Sequence, residues 1–390
     1  MPSPAATPAP RGWSPQAILA AHYPAIVEWS RAALPEIRAL EARLDRREAA
    51  GRNTLAVRQA IAELHWRRLY TGDATAAARN LERVRDLMQE PEPGPVRDAD
   101  GSFGVGTTVW FFKLDASADA LLADGFDAAG QPPRFLDPIN DPVQLRDYLD
   151  GLLVSRPAAE GLDRRKELNL ATSALVRLIL RRRPRGYRWH PQLEPVVRDF
   201  LAAWQDPATG FFGADYEIGK ERWRTADLSM TFHMARYLGG EIDHWPALID
   251  TLLAMRDDRY PNGWLADGVM TSHNNYDVAV LLALGWPRMR GDQRRRGRRE
   301  LDRMLSWCLD NAVAEDGTVQ ARAAGEALAE SYYFTIAFLD TVGFFDPAKR
   351  FWTRRVFAEA EAIRGRLEQR VRNLHQQHPM AAMALARLGR

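Results

Sequence analysis

The stretch that decides the fold is residues 245–285, which read WPALIDTLLAMRDDRYPNGWLADGVMTSHNNYDVAVLLALG. From Trp245 onward, apolar residues recur every three or four positions, and polar residues occupy the other face. A turn follows at Gly263. A second, more apolar helix is predicted over residues 272–284, ending at Gly285, the residue type that commonly closes a helix in the left-handed conformation. The pattern predicts a helical hairpin. One helix has a polar, solvent-exposed face (the wet helix), and the other is apolar on most sides (the dry helix).

The same hairpin recurs along the chain with a period of about 54 residues, which fits two helices and their connections. Glycine-centred turns lie at Gly101, Gly210, Gly263 and Gly317, separated by 109, 53 and 54 residues. Because the first gap is about twice the others, a further turn is expected near Gly161. The dry helices of three successive hairpins are predicted at residues 225–238, 272–284 and 331–342.

Alternating wet and dry helices describe a ring with polar helices outside and apolar helices inside. Strand signals are weak, and the best β-like run, residues 107–112, could equally open an inner helix. We therefore predict an all-α protein, an (α/α) toroid (barrel) of about six to seven helical hairpins. In this architecture residues 100–345 resemble the (α/α) toroid enzymes, which include polysaccharide lyase and glycoside hydrolase families. The isoprenoid cyclases of that group carry an acidic signature that this chain lacks.

The predicted organisation is a disordered Pro/Ala-rich leader at residues 1–12, followed by one toroid domain at 13–390. Within that domain, residues 13–95 form less regular helices, 96–345 the clear repeats, and 346–390 C-terminal helices. The leader lacks the pattern of an intact signal peptide. The compartment stays open: periplasmic or secreted if a signal was removed, otherwise cytoplasmic.

The amino-acid composition limits the classes of protein to which this chain can belong. Of 390 residues, 46% are hydrophobic and 27% are charged, which supports a sizeable core and excludes a highly charged disordered chain. The net charge of +2 gives no field typical of a nucleic-acid binder. No apolar run reaches the roughly 18 residues of a membrane span, so we expect a soluble protein without a membrane partner. The single cysteine, Cys308, excludes an intramolecular disulfide and a multi-cysteine zinc cluster.

The inner helices of such a ring begin at one rim of a central cavity, where their free N–H groups face a ligand. The predicted helix starts carry polar residues that are uncommon in helix interiors. These residues are Glu167, Asn169, Arg224, Asp227, His273, Asn274, Asn275, Glu330, Tyr332 and Tyr333.

The most informative start is the one at His273. Tyr276 lies three residues later, so both side chains share a helix face. Elimination from a uronate needs a neutralised carboxylate, a base for the C5 proton and an acid for the departing O4 oxygen. Tyr276 and His273 would supply acid and base. The carboxylate would be neutralised by Asn275, Asn274 and Arg224.

Toroid polysaccharide lyases are similar, since they use an Asn, a His and a Tyr for these roles. They commonly place Asn before His, whereas the order here is His273-Asn274-Asn275. A plainer interpretation also exists, in which Ser272 caps the helix and the Asn residues belong to an ordinary first turn.

Further residues are candidates for contacts with a substrate. Arg222 and Arg224 could hold the carboxylates of an anionic chain, or form a solvated charge run. His233 lies on an apolar helix, where a core histidine is the commoner outcome, although it could reach a cavity floor. The aromatic residues Trp264, Tyr332 and Tyr333 could stack on sugar rings, or belong to the core.

The sequence leaves two other functions open. An inverting glycoside hydrolase would need two carboxyls roughly 6.5–9.5 Å apart, drawn from Glu167, Asp227, Asp277 or Glu330. A non-catalytic toroid could bind a glycan or a protein. The predicted partner is an acidic poly- or oligosaccharide, with no nucleic acid. No metal site is predicted, elimination requires no cofactor, and the oligomeric state stays open.

Overall fold

The computed structural model describes residues 6–10, 13–89, 97–123, 132–181, 187–320, 326–374 and 379–389. Helices make up most of these residues, in agreement with a mainly α-helical class. The chain divides into two compact units. Unit 1 comprises Met1–Ile37, Leu55–Asp206 and Phe212–Ala226; unit 2 comprises Arg38–Thr54, Pro207–Phe211 and Asp227–Arg390. The closed toroid therefore stays a prediction.

Unit 1 is built from helices that pack in pairs, α3 against α4, α5 against α8, and α6 against α9. Its helices are α1 (Pro15–His22), the first part of α2 (Pro24–Ala49), α3 (Leu55–Tyr70), α4 (Ala74–Leu87), α5 (Trp110–Ala123), α6 (Pro142–Leu152), α7 (Pro157–Glu160), α8 (Arg165–Leu175) and α9 (Leu193–Trp204).

The β-like run at residues 107–112 leads into helix α5, the second of the two possibilities that the sequence allowed. Glu63 of α3 holds this helix start, because its Oε2 accepts hydrogen bonds from the Thr107 hydroxyl at 2.7 Å and the Thr108 amide at 2.9 Å. Its Oε1 accepts from Arg67 at 2.7 Å. This buried carboxylate therefore holds the two residues Thr107 and Thr108, just before the start of α5, against α3.

Unit 1 also contains a small four-stranded sheet, which corrects the all-α expectation. The strands are β1 (Thr7–Pro8), β2 (Val154–Ser155), β3 (Asp215–Ile218) and β4 (Glu221–Arg224), in the order β1-β4-β3-β2. β3 and β4 form an antiparallel hairpin in which Tyr216 pairs with Trp223. The ring of Trp13 packs edge-on against both, at 4.7 Å and 5.4 Å.

This sheet changes two sequence assignments. Thr7 and Pro8 of the predicted disordered leader pair in parallel with β4, while residues 1–5 and 11–12 lie outside the described residues. The dry helix predicted at 225–238 begins only at Leu228, because Thr225 still bonds Ala214 beside the β3–β4 hairpin and Asp227 caps the helix.

Unit 2 shows the predicted alternation of helices. α10, α12, α14 and α16 pack side by side in that order, and α11, α13 and α15 pack against members of this row. The helices are α10 (Leu228–Tyr237), α11 (Trp245–Ala254), α12 (Ser272–Gly285), α13 (Gly291–Trp307), α14 (Leu328–Thr341), α15 (Ala360–Arg372) and α16 (Pro379–Leu388). No helix among the described residues combines the length and apolar character needed to cross a membrane.

Four of the five turn glycines have a left-handed backbone conformation. Gly101, Gly161, Gly210 and Gly317 all have positive φ, including the turn that was inferred from the doubled gap. Gly263 is required for space, because a Cβ there would lie 2.2 Å from the Asp258 carbonyl carbon.

Gly285 differs from the prediction. It has a φ of −78° and is the last residue of α12, not a left-handed cap beyond it. A Cβ at this position would lie 2.8 Å from the Trp245 ring and 2.9 Å from Ile249 Cδ1. The glycine therefore permits close packing of α12 against α11.

Candidate functional site

The predicted cations of unit 1 are already paired with a carboxylate of the same hairpin. Arg222 Nε donates to Asp215 Oδ2 at 2.9 Å, and Arg224 Nε donates to Asp215 Oδ1 at 2.6 Å. Asp215 itself is buried. Two guanidinium groups on one buried carboxylate hold β4 against β3, so a substrate would have to compete with Asp215 for them.

Glu167 and Asn169 lie on α8, also in unit 1. Tyr148, a residue that the sequence analysis did not consider, donates its hydroxyl hydrogen to Glu167 Oε1 at 3.0 Å. Burial raises the pKa of Glu167, although the bond from Tyr148 and the charge of Arg164 oppose that rise. Asn169 is buried within the unit.

The remaining predicted residues belong to unit 2, and the start of α12 brings several together. Thr271, not Ser272, caps the helix, since its hydroxyl accepts from the Asn274 amide at 3.2 Å. The Asn274 side chain donates to the Trp264 carbonyl oxygen at 2.7 Å, and the Trp264 ring is buried. Asn274 and Trp264 thus hold the preceding turn in place, and the Trp264 ring faces the core of the unit.

His273 is the most accessible of the predicted acid–base groups, with 33% of its side chain exposed. Its ring stacks on Phe334 of α14 at 3.8 Å, and its Nδ1 lies 3.6 Å from Glu326 Oε1. Burial lowers the pKa of His273, but the bond to Glu326 and the charges of Asp277, Glu326 and Glu330 raise it above its ordinary value. The imidazole can therefore exchange a proton close to neutral pH.

Tyr276 approaches Phe334 from the next turn of α12, with 6.1 Å between the ring centroids. Its hydroxyl oxygen accepts a hydrogen bond from Arg387 of α16 at 3.1 Å, and the side chain is buried. Arg236 of α10 lies 5.6 Å from the centre of the same ring. Burial raises the pKa of Tyr276 well above its ordinary value, more than the two arginine charges lower it.

Tyr333 of α14 joins this group. Its hydroxyl accepts from Arg236 at 3.0 Å, and its ring lies 6.0 Å from that of Tyr276. Tyr332 is also buried, but it lies beside the backbone of Val319 at the preceding turn. The two neighbouring tyrosines thus have different surroundings, and Tyr333 is the one that lies at Tyr276.

Asn275 and Asp277 are buried with unsatisfied polar atoms. Among the described residues, Asn275 Nδ2 and both carboxylate oxygens of Asp277 have no hydrogen-bond partner. Burial, together with the charge of Asp227, raises the pKa of Asp277 to about 7, while His273, Arg236 and Tyr260 partly counter that rise. Buried polar groups without partners are uncommon and call for an explanation.

Two further carboxylates serve helix starts. Asp227 accepts from the Met230 amide at 3.0 Å and caps α10. Glu330 accepts from the Ala327 amide at 3.1 Å, at the start of α14. His233 of α10 is half-buried and stacks on Tyr237, with the ring centroids 5.7 Å apart. The contacts of Asp227 and Glu330 are structural, as those of carboxylates at helix starts commonly are.

The sequence analysis missed the two cations at Tyr276. Arg236 lies within a helix that is otherwise largely apolar, which is a signal that could have identified it. Arg387 lies 111 residues along the chain from Tyr276, and no local pattern connects the two. In the part of the chain that the structure describes, no group of three or more His, Cys, Asp and Glu side chains could hold a metal ion.

Unit 2 therefore places a partly exposed imidazole and a buried phenol on one face of α12, with two guanidinium groups at the phenol. Comparison with protein-family models, curated proteins and solved structures found no match to this chain. The only guide to the function is therefore the chemistry of the site.

Proposed function

We propose that this region, the α12 site (His273, Tyr276, Arg236 and Arg387), cleaves a uronic-acid-containing poly- or oligosaccharide by β-elimination. The observation that carries the proposal is the Tyr276 phenol, which has Arg387 on its oxygen and Arg236 near its ring. Its partner His273 stands one helical turn away. Elimination requires these three functions, namely a base, an acid and a cation for the carboxylate.

The direction of each pKa shift supports one division of roles. Tyr276 keeps its proton throughout the neutral range, which suits an acid and not a base. His273, once neutral, is a stronger base than an ordinary imidazole. In the proposed reaction His273 removes the C5 proton, the C4–O4 bond breaks, and Tyr276 gives its proton to O4. Arg387 then stabilises the phenolate that remains.

The cations of the α12 site replace Arg224 in the predicted mechanism. Arg387 also bonds Asp340 Oδ2 at 2.9 Å, so it is held between a carboxylate and the Tyr276 oxygen. A substrate carboxylate offers this guanidinium an additional charged partner. The amide of Asn275, which lacks a partner among the described residues, is a further donor for the same carboxylate.

One observation favours the alternative of a glycoside hydrolase. With a pKa of about 7, Asp277 keeps its proton at weakly acid pH, as a catalytic acid must. The two candidates predict different products. Elimination leaves a C4–C5 double bond conjugated with the carboxylate, whereas hydrolysis leaves only a new reducing end.

The first experiment is therefore an ultraviolet-absorbance assay on alginate, glucuronan, pectate, hyaluronan and chondroitin, run beside a reducing-end assay. We expect absorbance to rise on one of these substrates. New reducing ends without a rise in absorbance would instead support the glycoside hydrolase, with Asp277 as its catalytic acid. If neither signal developed on any substrate, elimination from these uronates would be refuted.

The variant Tyr276→Phe tests the assigned acid. Removing the hydroxyl should lower the elimination rate by about 100-fold or more, because a positioned general acid contributes at least that much. Tyr187→Phe is the control for a tyrosine hydroxyl, since Tyr187 of unit 1 bonds Asp137 at 2.8 Å. Both variants should keep the helical circular dichroism of the wild type. A Tyr276→Phe enzyme with full activity would remove this residue from the mechanism.

A further inference from the structure

Asp277 is a charged group that holds no part of the backbone in place. It lies on α12 with none of its surface exposed, and neither carboxylate oxygen has a hydrogen-bond partner among the described residues. By contrast, the carboxylates of Asp227 and Glu330 bond backbone amides at helix starts. A structural role of that kind does not account for Asp277.

Its position does relate it to His273. The two residues are four apart on α12, so their side chains lie on the same helix face one turn from each other. The charge of Asp277 raises the pKa of His273, and His273 in turn lowers that of Asp277. Because the Asp277 carboxylate is fully buried, its charge acts on His273 through a weakly polarisable interior, where charges interact strongly.

The charged groups on the neighbouring elements complete this environment. From α10, the Arg236 charge favours the ionised form of Asp277 and the Asp227 charge opposes it. Tyr260, in the segment before α12, also favours the ionised form. On the other side, Glu326 and Glu330 at the start of α14 act on His273 in the same sense as Asp277.

We propose that Asp277 is a positioning residue that sets the protonation state of His273, so that the two side chains titrate as a coupled pair. The charge of the ionised Asp277 carboxylate raises the pKa of the His273 imidazole. When Asp277 takes up a proton, this charge is lost and the pKa of His273 falls. In catalysis, this coupling would control the pH at which His273 becomes available as a base. That consequence rests on the proposed function. The coupling itself can be measured without any substrate.

The test is an NMR titration of the histidine ring resonances, with His273 assigned by loss of its signal in His273→Gln. In the wild type we expect two inflections, because Asp277 titrates at about pH 7 within the range of the imidazole. In Asp277→Asn we expect a single inflection at lower pH. The control Glu300→Gln removes another buried carboxyl, on α13, and should leave the His273 curve unchanged.

Stability supplies a second readout that separates this role from a structural one. Since burial disfavours the charged form of Asp277, the isosteric amide should not lower the free energy of unfolding above pH 7. An unchanged His273 curve in Asp277→Asn would overturn the proposal. If that variant did not fold, a single inflection in the wild type would overturn it equally.

The titration also separates this inference from the proposed function. Coupled titration without lyase activity would support the pairing and contradict the proposed reaction. If the enzyme is a lyase, the acid limb of its pH–rate profile should move to lower pH in Asp277→Asn. A hydrolase with Asp277 as its acid would instead lose activity at every pH.

Discussion

Asp163 shows what a buried carboxyl looks like when it does have partners. Its Oδ1 accepts from the Arg165 amide and from the Tyr216 hydroxyl, each at 3.0 Å, and so ties α8 to strand β3 within unit 1. Burial still raises its pKa to about 6, although these hydrogen bonds and the charge of Arg165 oppose the rise. Its Oδ2 has no partner among the described residues. The same physics therefore acts on Asp163 and Asp277, but only Asp163 holds structure together.

The raised pKa of Asp163 has a defined effect on stability. The unfolded chain releases this proton near pH 4 and the folded chain only near pH 6, so the group costs stability as pH rises between those values. In Asp163→Asn that cost disappears. The free energy of unfolding of the variant, relative to wild type, should therefore increase by about 3 kcal/mol across this interval.

Urea unfolding at a series of pH values measures this difference. Asp147→Asn, at an exposed position on α6, controls for the loss of one negative charge from the same unit. A difference between Asp163→Asn and wild type that does not change with pH would show that the pKa of Asp163 is the same in the folded and unfolded protein.

At the scale of the elements, helix α12 is packed closely against several neighbours. It contacts α10 and α14 within the row, and it contacts α11 and α13 as well. The glycine at its end allows the Trp245 ring of α11 to approach the helix backbone. The α12 site is therefore built on a helix that neighbours hold on several sides, which suits the positioning of catalytic groups.

Gly285→Ala should disturb this packing. The added methyl group would meet the Trp245 ring at 2.8 Å, and overpacking of this kind typically costs about 1–3 kcal/mol. Gly365→Ala on α15 is the matched control, since a Cβ there meets nothing within 4 Å. That change should instead stabilise by about 0.5–1 kcal/mol. Thermal unfolding checks both variants, since the melting temperature should fall in Gly285→Ala and rise in Gly365→Ala.

The elements also show what local pattern can predict. The helices α11, α12 and α14 and the turns at Gly101, Gly210 and Gly317 follow from apolar spacing and glycine, which are local signals. The β3–β4 hairpin was missed because its strands are four residues each and are stabilised by ion pairs to Asp215. In the site, His273 and Tyr276 follow from their spacing, whereas Arg387 is a distant partner that spacing cannot reveal.

At the scale of the whole molecule, the two units are interleaved along the chain. Unit 2 takes Arg38–Thr54 and Pro207–Phe211 from within the span of unit 1. Leu40 and Leu44, on the second part of α2, are buried. No single cut in the chain therefore yields both units complete.

A fragment of residues 227–390 should accordingly be less stable than the same residues with 38–54 joined ahead of them by a flexible Gly/Ser linker. Urea unfolding followed by circular dichroism compares the two chains. The control fusion carries Leu40→Ser and Leu44→Ser, and it should lose most of the gain because the apolar burial is removed. Equal stability of the fragment and the fusion would show that residues 38–54 contribute little to unit 2.

The stacking of His273 on Phe334 has a spectroscopic consequence. The ring centroids of His273 and Phe334 lie 3.8 Å apart and the two planes are only 8° from parallel, so the imidazole falls in the shielding cone of the benzene ring. Its carbon-bound protons should resonate upfield of those of an exposed histidine. Among eight histidines, this residue would then be recognisable by its chemical shift alone. A ligand that separates the two rings would shift the His273 proton signal downfield. Ligand binding could therefore be detected before any product is known.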